Sequence, residues 1–167
     1  MAKKKTKLSL KVLFALISAL LGVVAICLMA APAAAVKDTE LAYTGAQLTF
    51  GYTRTGSITG ISAEVFKFSF LNFLPYILVL AGIAFSVLTV LGKLGKIAPI
   101  VSAVCYLAAG VLFFLVIEMC SPYTAIDSKD LVDAVKDTLT LGAGAIVGGI
   151  LGILSAALSA AALAVKK

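Results

Sequence analysis

The chain contains no histidine and no tryptophan, and only 13% of its 167 residues are charged. Without histidine it lacks the commonest metal ligand and the commonest general base near neutral pH. A histidine-based metal site and a Ser/His or Cys/His nucleophile are therefore excluded. Cysteine is scarce too: Cys27, Cys105 and Cys120 stand far apart, two of them inside apolar runs. That is the pattern of small buried hydrophobes, with no metal-binding spacing. A Cys27 to Cys120 disulfide is conceivable near one end of the molecule, but free thiols are the favoured reading. These absences leave no catalytic residue, no metal and no cofactor to assign, and the chain reads as a non-enzyme.

What is abundant is apolar sequence. At 62% hydrophobic and a mean hydropathy of +1.13, the chain lies well beyond the roughly 45–50% apolar content of soluble domains. The composition predicts an all-α membrane protein, and the length suits one domain, 1–167, of four antiparallel spans of about 20 residues each. The charge-free runs place the spans at about 12–35, 71–91, 100–119 and 140–165, with outer loops at 36–67 and 121–139.

The first run follows Lys3, Lys4, Lys5, Lys7 and Lys11 and ends in small residues, Ala33 and Ala35 among them. This fits either a transmembrane helix or a secretory signal peptide. Its uncharged stretch exceeds the roughly 7–15 residues of a signal core, so a retained helix is favoured. Ser18, Gly22 and Ala25 give that helix a small-residue patch suited to packing on the last one. Aromatics from Phe66 to Tyr76 lead into the second span, with Pro75 expected in or near its first turn. Gly92, Lys93, Leu94, Gly95 and Lys96 form a tight basic turn, and Pro99 opens the third span. So short a connection makes spans two and three an antiparallel hairpin.

The first outer loop is rich in Thr and Tyr, and Leu48, Phe50 and Tyr52 alternate beyond Gly45. This predicts a short extracytoplasmic β-hairpin over 39–53 with its turn at Gly45. Tyr43, Phe50 and Tyr52 are the outer-loop interaction candidates; the other reading is that they pack on their own bundle. In the second loop, Asp127 or Ser128 is expected to cap a helix whose face carries Leu131, Val132, Val135 and Leu139 and which runs on into the final span. Asp127, Asp130, Asp133 and Asp137 lack the glycine-centred ligand ladder of a calcium loop, so solvated acidic surface is favoured over a metal site.

In the final span, Gly144, Gly148, Gly152, Ala156, Ala160 and Ala164 recur every fourth residue. Small side chains at this spacing let two helices approach closely in hydrocarbon. The groove is expected to hold a helix of the same chain; the alternative is a seam between copies.

Nine lysines flank the ends and the central turn, whereas all eight acidic residues lie in the outer loops or at the outer end of span three, as Glu118 does. The positive-inside rule then puts both termini in the cytoplasm of a multi-pass cell-membrane protein. These lysines form short juxtamembrane clusters that attract anionic lipid, and no surface is large enough to track nucleic acid. Between the interfaces the spans carry no Asp, Glu, Lys or Arg, with Glu118 the nearest exception at the outer surface, which argues against a proton-coupled transporter.

Four spans, a longer first outer loop with β structure and a tight inner turn resemble the layout of claudin-type tetraspan proteins. The likeness is one of layout: this chain has no Trp, and 36–67 has no Cys, so no functional residue is carried over from that family's loop signature. The expected function is that of a small tetraspan scaffold or accessory subunit acting by helix–helix association. Its partners would be the lipid bilayer and either another membrane protein or further copies. A homo-oligomeric channel or pore is the alternative.

Overall fold

A computed structural model describes residues 9–55, 62–124 and 128–165. The lysines at 3, 4, 5, 7, 166 and 167, and the cap candidate Asp127, lie outside the described residues. Among the described residues, four helices are long and apolar enough to cross a membrane, which suggests a multi-pass membrane protein.

Helix α1 (Leu10–Cys27) starts at Ser9, whose hydroxyl accepts a hydrogen bond from the Val12 N–H at 3.3 Å. It tightens into a 3-10 turn at Leu28–Ala30 and stops there. Pro32 disfavours a helical conformation at Ala31, which is extended at φ −87° and ψ 158°. The span expected over 12–35 is therefore cut short, and Pro32–Val36 is a strand, β1. The small residues that fit a cleavage site lie inside it, Ala33 buried at 2% exposure and Ala35 half-buried.

Helix α3 (Phe70–Val90) is capped by Ser69, and Pro75 is its sixth residue, further in than expected. It turns into α4 (Ile97–Phe114) through Gly92, Leu94 and Gly95, all at positive φ. The third span does not continue unbroken to 119. It yields at Leu115 and resumes as the single turn α5 (Val116–Met119). Helix α7 (Ala143–Ala164) completes the bundle. Each long helix packs on two neighbours, α1 and α4 both lying against α3 and α7, so the four close into a ring. Its interior is Ala25, Tyr76, Val79, Tyr106, Ala109, Phe113 and Ala156.

One end of the ring is covered by a small cap. There β1 is the central strand of an antiparallel sheet, flanked by β2 (Ala42–Thr44) and β5 (Leu139–Leu141). A second pair, β3 (Tyr52–Thr55) and β4 (Ser62–Phe66), lies beside it, with Phe66 bridging to Pro122. Ala33, Ala34, Leu48, Phe66, Val116, Cys120, Leu139 and Ala145 form the cap's own core.

Two expectations fail here. Gly45 is not a turn between strands but the first residue of a short helix, α2 (Gly45–Phe50). The Thr44 hydroxyl accepts from the Gln47 N–H while the Gln47 side chain accepts from the Thr44 N–H, a reciprocal capping box that starts a helix. Leu48 and Phe50 are therefore helical, and Tyr52 begins a strand that pairs with β4 instead of with 39–44. The second failure concerns α6 (Lys129–Asp137), which does not run into the final span. Its N-cap is Ser128, with no side-chain capping bond. Past Asp137 the chain straightens into β5, pairing Leu139 with Val36 and Leu141 with Ala34. Without β5, β1 would have a bare edge, whose backbone groups need partners.

Candidate interaction surfaces

The stripe on α7 is buried at one end and exposed at the other. A Cβ added at Gly152 would lie 2.7 Å from the Gly110 Cα, and one at Gly110 would lie 3.0 Å from the Gly149 carbonyl oxygen. Helices α4 and α7 thus touch backbone to backbone. Near the cap, a Cβ at Gly144 would come within 2.8 Å of the Pro32 carbonyl oxygen, and one at Gly148 would rest 3.4 Å from the Phe113 ring. Ala156 is buried, whereas Ala160 and Ala164 are exposed. Helical geometry explains the change: at 3.6 residues per turn, a four-residue repeat turns by about 40° per step and by about 200° over the six positions. The inner face passes instead to Ser155, Ser159 and Ala162.

Those serines belong to a polar belt, as expected of hydroxyls in charge-free spans, which satisfy themselves on the helix backbone or across helices. Ser18 of α1, Ser86 of α3, Ser102 of α4 and Ser159 of α7 contribute one hydroxyl from each long helix. Ser86 and Ser102 meet at 2.7 Å, Ser102 and Ser159 at 3.2 Å, and Ser159 and Ser18 at 2.8 Å. Ser102 also contacts the Gly82 carbonyl at 2.9 Å, and Ser18 the Ser155 carbonyl at 2.9 Å. Tyr106, wholly buried, lies against Gly22 of α1 and Gly82 of α3. Its hydroxyl sits beside Ser86 and Ser18, and neither it nor Ser155 Oγ makes a well-formed hydrogen bond among the described residues. The sequence signal was available: each serine lies at helical spacing from small residues within a charge-free run. The belt fastens the helices together and fills the interior at its own level.

At the cap, the three aromatic candidates separate. Tyr43 and Tyr52 come together with ring centroids 6.0 Å apart, and Tyr43 stands edge-on to Phe66 at 4.8 Å. Both tyrosines are half-buried against the cap core. Phe50 is 57% exposed and leans on Phe73 at 5.7 Å. Tyr43 and Tyr52 line a slot of about 170 Å³ with Leu41, Ala42, Gln47 and Arg54. The strands that line it, β2 and β3, are both end strands, and among the described residues neither has a second strand partner.

Helix α6 buries none of its residues, leaving Leu131 and Val135 exposed. Lys136 reaches the Glu118 carbonyl at 2.6 Å, and Lys37 donates to the Asp137 carbonyl. Among the described residues, no three metal-ligating side chains come together. All three cysteines are free, with Cys27 exposed and Cys120 buried. Burial pushes the Cys120 thiol up to about 11, with nearby Lys136 opposing the rise and Glu118 adding to it.

No protein-family model, curated protein or solved structure matches this chain.

Proposed function

We propose that this chain is a non-enzymatic cell-membrane protein acting by association, as a small scaffold or accessory subunit. In this reading both termini and the α3–α4 turn face the cytoplasm, and the cap faces outward as the contacting surface. The observation that carries it is the slot between β2 and β3. Two end strands offer unpaired backbone groups beside a tyrosine floor and an exposed Arg54. Such an edge takes an extended segment as an added strand, while pockets beside it select side chains. The buried small residues of α7 are already occupied by Gly110, Phe113 and the Ala31–Pro32 corner, which moves association away from the groove and towards the cap.

The oligomeric-pore reading keeps one observation. Ala103, Val104, Leu107, Ile153, Ala157 and Ala160 border an apolar depression of about 340 Å³ on the outside of α4 and α7, into which a second copy could seat a helix. One experiment separates the two. A photo-crosslinking residue is placed at Tyr52 or at Val104 in the full chain, in native membranes. A discrete hetero-adduct from Tyr52, weakened by Arg54→Ala, supports the accessory role. Adducts of twice the chain mass from Val104 alone support copies, and an inert Tyr52 sinks the cap reading.

A further inference from the structure

At the end of the bundle opposite the cap, the start of α1, the end of α3 and the end of α7 surround a cavity of about 360 Å³. Its polar lining is Ser9, Lys11 and Thr89; Val12, Val90 and Val165 supply apolar wall. Two of the three polar groups are engaged. The Ser9 hydroxyl accepts from the Val12 N–H, and the Thr89 hydroxyl donates to the Phe85 carbonyl at 2.9 Å. Lys11 is different: it is half-buried, and it has no hydrogen-bond or ion-pair partner among the described residues. A partly desolvated cation without a counter-charge is costly.

The sequence offers no carboxylate to correct this. Lys11, Lys93 and Lys96 lie at this end, Lys3, Lys4, Lys5 and Lys7 precede α1, and Lys166 and Lys167 follow Val165; no acidic residue falls in any of these segments. None of the side chains in these segments supplies a counter-charge, which leaves the place open to an anion from outside. The cavity lies at the helix ends, where a spanning bundle meets the headgroup layer. It joins one cation to an apolar wall of Val12, Val90 and Val165.

We propose that this cavity holds one anionic phospholipid, its phosphate at Lys11 and its upper acyl chain against Val12, Val90 and Val165. A zwitterionic lipid fits less well, because it brings its own cation to an end already crowded with lysine. A soluble phosphate would leave the apolar wall uncovered.

The test uses the full-length protein in mild detergent, titrated with dioleoyl phosphatidylglycerol or dioleoyl phosphatidylcholine, with adducts read by native mass spectrometry. One phosphatidylglycerol should be retained in preference to phosphatidylcholine. Lys11→Gln should weaken that retention about fivefold, the worth of one lysine at a charged headgroup. Lys11→Arg should keep it, and Lys96→Gln, the same charge loss outside the cavity, should leave it unchanged. Val90→Phe, which fills the wall, should lower retention with every lysine in place. Melting temperatures of the variants identify any that fail to fold, and the Lys11→Arg and Lys96→Gln pair then carries the comparison. Equal losses from Lys11→Gln and Lys96→Gln would reduce the effect to diffuse attraction and overturn the proposal. So would equal retention of the two lipids, or full displacement of the lipid by glycerol phosphate.

Discussion

Replacing Gly152 with alanine adds one methyl group where α4 and α7 are in backbone contact. That carbon would stand 2.7 Å from the Gly110 Cα, 2.9 Å from the Gly110 nitrogen and 3.1 Å from the Tyr106 carbonyl oxygen. Non-bonded carbons rest at about 3.5–4.0 Å, so the helices must part by roughly 1 Å, and a gap of that size forfeits up to about half of each dispersion contact along the seam. Overpacking costs about 1–3 kcal/mol, and alanine's advantage over glycine within a helix returns up to about 1 kcal/mol. The expected net loss is about 1–2 kcal/mol, since the obstructing atoms are backbone and cannot swing aside. Gly148 is the internal control, because its added carbon would meet the Phe113 ring at 3.4–3.5 Å, an ordinary contact. Gly148→Ala should therefore be neutral or slightly stabilising. Reversible unfolding in mixed micelles, followed by circular dichroism, measures both. Equal stability of the two variants, or a larger loss at Gly148, would refute the packing argument. A fall in oligomeric mass for Gly152→Ala at unchanged stability would mean that the seam joins copies.

Two further predictions concern polar groups. Ser102→Ala removes the hub that touches Ser86, Ser159 and the Gly82 carbonyl, and should cost about 0.6–1.7 kcal/mol, the span measured for interhelical hydrogen bonds in membranes. Tyr106→Phe removes a hydroxyl with no well-formed hydrogen bond among the described residues and should be neutral or stabilising in the same unfolding assay; a larger loss than for Ser102→Ala would show that the tyrosine is bonded after all. Thiol chemistry supplies the second. With Cys120 raised from 9.0 to about 11, the folded chain holds that proton where the unfolded chain releases it. Cys120 should therefore have no effect on stability below pH 9, lower it as pH rises through that interval, and resist alkylation at neutral pH until the fold opens. In a variant lacking the native cysteines, an impermeant maleimide applied to intact cells should label a cysteine at Thr53 and spare one at Lys96; the reverse pattern would invert the proposed orientation.

The four long helices were legible because charge-free runs bounded by lysine and aspartate leave few alternatives. The α3–α4 turn was equally plain from Gly92 and Gly95, which adopt the positive φ that glycine tolerates. The cap was misread for a local reason. Gly45 with flanking Thr and Tyr suggested a hairpin turn, yet Thr44 and Gln47, three apart, were a helix-start signal in the same stretch. The fate of β5 depended on something no local pattern reveals: Leu139 is drawn out of the helical run by Val36, more than a hundred residues earlier. At the candidate sites, the small residues of the final span are plain in the sequence, but which of them face inward depends on helical phase. A four-residue stripe and a 3.6-residue helix separate within a few turns, which carries the groove off the inner face by Ala160 and Ala164.

The pairing of β1 with β5 also sets an order of assembly. Strand β1 emerges with the first helix, but its second partner is made only just ahead of the last. Throughout synthesis of the intervening hundred or so residues, one edge of the central strand waits for a segment that does not yet exist. The contact is among the most distant in the chain, and distant contacts form late because the intervening loop must first be closed. The three-stranded sheet therefore acts as a latch on completion: a chain released before residue 139 keeps the bare edge, and with it a surface open to stray strands.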